Sequence, residues 1–187
     1  MTWAMRQEVD SLISAIGGLL FAEISSLWLP ASAGWPVRIV GAVGFVAVLW
    51  YAVLRKRPPA PPAHPRSPRA IRTYLICVVL EIVAIPLGAL LLVHVLRQPV
   101  VVLPWVVIVA GLHFLPFRDA FGTALSDRLG GVLFGLGILG GALVLRWSPA
   151  YSPWTGVAAG LVLLGFAAAT ARVRDTKTPT GGRVGVR

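Results

Sequence analysis

The sequence predicts an all-α fold, a polytopic integral membrane helical bundle of six transmembrane helices. Three observations carry this. The 187 residues are 57% hydrophobic and only 13% charged, about half the charge of an ordinary soluble chain. The apolar residues fall into blocks long enough to cross a hydrocarbon layer of roughly 30 Å at about 1.5 Å of rise per residue. Finally, 14 of the 17 Lys and Arg residues lie in segments that one topology puts on the same side, leaving only Arg38, Arg97 and Arg146 on the other. A soluble bundle of such helices would lack the polar surface needed to coat it.

In chain order, the first span is residues 11–29, which carries Glu23 and ends at Trp28 and Pro30. It is the weakest of the set. Residues 31–33 read as a linker. The second span, 34–54, has Trp35 at one end and Trp50 and Tyr51 at the other, as the interfacial aromatic belts require. Arg38 is near enough to the Trp35 end to snorkel to the surface. Residues 55–71 form a basic, proline-rich cytoplasmic loop with no apolar periodicity, an extended connector that also has the character of a ligand for a partner recognising polyproline.

Residues 72–96 and 100–117 are the third and fourth spans, and the rest of the chain reads as organised around them. A short polar loop, 118–129, leads to the fifth span, 130–147, in which Gly131 and Gly135 have the four-residue spacing that lets helix backbones approach. Gly156 and Gly160 repeat that spacing in the sixth span, 154–171, so spans five and six are expected to pack through these four glycines. A spare glycine face on span five could extend into a homo-oligomer. The basic tail, 172–187, has no periodicity and reads as disordered, lying against anionic lipid headgroups at the cytoplasmic face.

The charge asymmetry puts both termini and the 55–71 loop in the cytoplasm, in an inner or plasma membrane. It also accounts for the net charge of +10 without nucleic acid. Cys77 is the only cysteine, which excludes an intrachain disulfide and a cysteine metal cluster. No cofactor fingerprint is present, and no HExxH, GxSxG or Walker sequence; His94 and His113 sit on different helices, about 20 Å apart in depth by residue counting. Enzyme chemistry therefore has little to stand on.

Titratable residues inside apolar spans are the first place to look for function, because each is costly in lipid unless paired or turned to a cavity. Counting from the basic flanks puts Glu81 about 13 Å from the cytoplasmic end and His113 about 7 Å above it, so the two can meet across antiparallel helices. With Glu23 and His94 in the outer half, the four form a loose ladder, candidates for a proton or polar-solute path. Against this, Glu81 and His113 could simply pair and fix register, His94 could be interfacial, and Ser25 and Ser26 could lead Glu23 to the surface. Pro86 cannot donate to the Ile82 carbonyl, and the resulting kink is expected to open that carbonyl to a cavity. Pro116 is expected to bend the fourth span beneath His113, with Gly111 leaving space above.

The stretch Gly111, Leu112, His113, Phe114 and Pro116 resembles a signature, Gly-Leu-His-Phe-x-Pro, of a group of small bacterial multi-pass membrane proteins. The resemblance covers span four. It implies a multi-pass fold and no particular reaction, and Phe117, Arg118 and Asp119 depart from the small or basic residues usual after the proline. These readings point to a small transporter or channel for a proton, ion or small polar solute. The alternative is a structural or partner-binding membrane protein without transport activity.

Overall fold

The computed structural model describes residues 3–51, 68–115 and 124–173. They form an all-α bundle: α1 Trp3–Ser26, α2 Ala31–Leu49, α3 Pro68–Leu90 with a π-helical turn Leu91–Val95, α4 Val102–Phe114 after a 3-10 turn Pro99–Val101, α5 Ala124–Arg146 and α6 Tyr151–Val173. Four stretches are long and apolar enough to cross a membrane: Ala31–Leu49, Leu75–Val95, Asp127–Arg146 and Tyr151–Ala169. Two more, Leu12–Ser26 and Pro99–Phe114, are apolar but shorter. The chain is a multi-pass membrane protein.

The helices start earlier than hydropathy places them. Ala31 to Ala33, expected as linker, are the first turn of α2, because the Pro30 carbonyl accepts from the amides of Ala33 and Gly34 at 2.9 and 2.8 Å. Asp127 and Arg128, expected in a polar loop, belong to α5, where an acidic residue in the first turn suits the helix dipole. Polarity marks where a helix leaves the apolar layer, not where its hydrogen bonding begins. Most of the 55–71 loop, Pro116 with its expected kink, and the tail beyond Val173 lie outside the described residues.

Three tight turns join the helices into hairpins. The end of α1 tightens through bonds from Leu27, Trp28 and Leu29 to the carbonyls three residues back. At the end of α3, Arg97 takes the left-handed conformation, φ 54°, and the Gln98 amide reaches back to the Leu92 carbonyl at 2.7 Å. This resembles the usual left-handed helix termination, with Pro99 completing the stop. Between α5 and α6, Trp147 and Ser148 both donate to the Leu143 carbonyl. Gly156 of α6 faces both Ser25 of α1 and Leu103 of α4, so all three turns share one end of the bundle. The helix ends leading into 52–67, 116–123 and 174–187 lie at the other.

The centre of the bundle is α6, not the 72–118 stretch. It packs on α1, α2, α4 and α5, whereas α3 packs chiefly on α4 and the apolar window of α3 has no buried residue. Ala15, Val48, Leu164 and Ala167 make one core cluster across α1, α2 and α6. Val107, Leu129, Leu133, Ala159 and Leu163 make the other across α4, α5 and α6.

Glycines set these contacts, with partners other than those expected. Gly160 packs on α1, where an added Cβ would stand 2.6 Å from the Gly18 carbonyl oxygen and 2.8 Å from the Ala22 nitrogen. Gly156 likewise meets Ser25 of α1, so the Gly156/Gly160 pair serves α1–α6 and not α5–α6. Gly131 and Gly135 have open space around them; α5 instead meets α4 through Gly130 and Gly137, and α6 through Gly140. The expected α5–α6 seam is thus corrected. A four-residue spacing marks a face that permits close approach but does not say which neighbour takes it.

Candidate functional site

The α3–α4 seam carries the polar residues of greatest interest. His113 Nδ1 of α4 lies 3.0 Å from Glu81 Oε2 of α3, with side chains 12% and 29% exposed. Nδ1 is itself buried, so the contact is a short approach between an imidazole nitrogen and a carboxylate oxygen at the helix seam. The Phe114 ring meets the imidazole edge-on at 5.4 Å. The contact brings together the two residues that counting from the basic flanks allowed to meet across antiparallel helices. The packing of α3 on α4 around it is described next.

That packing centres on Trp105. Its indole Nε1 donates to the Ala84 carbonyl at 3.1 Å, and Gly88 leaves the volume in which the ring sits. Helix α3 runs through Pro86 to Leu90, with the Trp105 ring held on it through the Ala84 carbonyl and Gly88. The sequence held a signal for this that hydropathy misses, since an indole N–H within an apolar span needs an acceptor and a glycine one face away makes room for it. A cavity of about 260 Å³ does occur on α3, lined by Leu75, Ile76, Val79 and Leu80. It is apolar and open, and neither Glu81 nor His113 lines it.

Gly111 is corrected as well. The space expected above His113 is filled by α5, because a Cβ on Gly111 would come within 2.9 Å of the Gly130 carbonyl oxygen.

Glu23 and His94 do not join the Glu81–His113 contact. Glu23 faces Arg38 in the α1–α2 seam, with Nε 3.9 Å from Oε2. Arg38 Nε also donates to Ser26 Oγ at 2.9 Å, and Ser26 Oγ donates to the Glu23 carbonyl at 2.6 Å. Ser25 and Ser26, expected as an exposed polar flank, are buried between helices. His94 is exposed in the π-helical turn that ends α3. The four-residue ladder is therefore two seam contacts and a separate histidine, for the simple reason that α1–α2 and α3–α4 are different hairpins. Among the described residues, no group of three His, Cys, Asp or Glu side chains could hold a metal ion.

Chemically, the Glu81–His113 contact sets a carboxyl group against an imidazole within an otherwise apolar helix pair. Comparison with known proteins found no matching family model, no matching curated protein and no matching solved structure, so the reading of this site rests on its own geometry.

Proposed function

We propose that this chain is a six-span transporter or channel that moves a proton, an ion or a small polar solute along the α3–α4 seam, with both termini on the basic, cytoplasmic side. The observation that carries the reading is the 3.0 Å approach of Glu81 to His113, with Glu81 still 29% exposed inside a span whose other residues are almost all apolar. A carboxylate kept part-open at that depth is expensive unless water or a solute reaches it. The charge split supports the orientation, because the three short turns and Arg38, Arg97 and Arg146 share one end.

A second reading has its own support. The Trp105 bond to Ala84 fills the seam one turn away, as a structural pair fixing helix register would favour. The two readings part in proteoliposomes. Wild-type protein should dissipate an imposed proton or solute gradient faster than empty liposomes, and Glu81→Gln and His113→Ala should slow it at least tenfold while remaining folded. Wild-type flux equal to that of empty liposomes would remove transport and leave the structural reading.

A further inference from the structure

The second polar cluster, in the α1–α2 seam, has a geometry that an internal ion pair alone does not use up. Arg38 is held on three sides: Nε donates to Ser26 Oγ at 2.9 Å, Glu23 Oε2 is 3.9 Å away, and the guanidinium carbon stands 5.5 Å from the Trp35 ring centroid. These contacts fix the plane of the guanidinium but engage only Nε and its face. The remaining N–H donors form the planar fork that matches two oxygens of one phosphate or carboxylate. Arg38 is 31% exposed and Glu23 37%, so the cluster opens outward from the seam.

Its depth identifies what it opens toward. Arg38 is one turn along α2 from Trp35, and both Trp35 and Trp28, at the α1–α2 turn, are exposed, at 63% and 78%. Exposed indoles at a helix end mark the headgroup level of a bilayer, and an arginine one turn deeper extends its fork up to that level.

We propose that Arg38, with Trp35 beside it, binds the phosphodiester of a membrane phospholipid at the end of the bundle that carries the three short turns. This site is at the end of the bundle opposite the C-terminus of α6 and depends only on the multi-pass fold, not on transport. Glu23 gives it a distinctive selectivity. Because a carboxylate already balances the guanidinium, the site reads the phosphate oxygens by hydrogen bonding and has little net charge with which to favour anionic over zwitterionic headgroups.

The test is lipid retention by the full chain, purified in detergent, exchanged into defined lipid, stripped and analysed by native mass spectrometry, with thermal stability alongside. The probes are phosphatidylcholine, phosphatidylglycerol, a phosphate-free digalactosyl diacylglycerol and inorganic phosphate. Both phospholipids should be retained and should raise Tm; the glycolipid and inorganic phosphate should do neither. Arg38→Gln should lower phospholipid retention at least fivefold, and Arg38→Lys, which keeps the charge and loses the fork, should lower it nearly as far. Glu23→Gln should keep retention and tilt it severalfold toward phosphatidylglycerol, a gain of function that reports on the site even if the Arg38 variants do not fold. Wild-type retention in Arg38→Gln, equal retention of the glycolipid, or no headgroup shift in Glu23→Gln would overturn the proposal. Equal stabilisation by inorganic phosphate would assign the site to the free ion and overturn the lipid as its ligand.

Discussion

Trp105 occupies the volume that Gly88 leaves vacant, and from there its indole donates to the Ala84 carbonyl at 3.1 Å across the α3–α4 seam. Helix α3 packs chiefly on α4, and this interlock and the Glu81–His113 contact both bridge that seam. Gly88→Ala places a methyl group inside the indole. It should lower stability by about 1–3 kcal/mol through overpacking, and Trp105→Phe by about 1 kcal/mol through the lost hydrogen bond. Thermal unfolding in one detergent measures both. An unchanged Gly88→Ala would mean that the ring is not held there.

The Glu81–His113 contact is testable as a coupling, whatever its function. In a cycle of Glu81→Gln, His113→Gln and the double variant, an interaction energy of about 0.5–3 kcal/mol is expected for residues in contact. Additive single effects would mean that the two side chains are energetically independent. Combined with the flux assay, the cycle separates a structural pair, coupled but silent in flux, from a working one.

The glycines should divide sharply by neighbour and not by spacing. Gly160→Ala sets a Cβ against the backbone of Gly18 and Ala22, atoms that cannot give way without separating α1 from α6. A loss of about 2 kcal/mol or more, or failure to fold, is expected. Gly131→Ala and Gly135→Ala meet open space and should leave monomer stability unchanged. If size analysis shows that Gly135→Leu breaks an oligomer while leaving the monomer stable, the exposed face of α5 is a self-association surface.

The proposed topology rests on the shared end of the three turns together with the charge split. In a Cys77→Ser background, Ser148→Cys should react with a membrane-impermeant maleimide on intact cells, and Ala63→Cys only after permeabilisation. The opposite pattern would invert the orientation and, with it, the leaflet of the Arg38 site.

The sequence by itself determined what the bilayer dictates: an all-α chain, the approximate positions of its apolar helices and the segregation of its basic residues. These are one-dimensional properties, since hydropathy and charge act on each segment separately. It also drew attention to Glu81 and His113, because an ionisable group in an apolar run is conspicuous without knowledge of its neighbours. Only the tertiary structure decided which helices touch. It moved the centre from the third and fourth spans to α6, gave Gly156 and Gly160 to α1, and seated the Trp105 ring against Gly88. It also divided four titratable residues between two hairpins. In a membrane nearly every helix face is apolar, so hydropathy does not rank one face above another, and the choice of neighbour falls to shape. Whether a glycine meets a carbonyl oxygen or open space is a property of two helices at once, and no periodicity along one of them contains it.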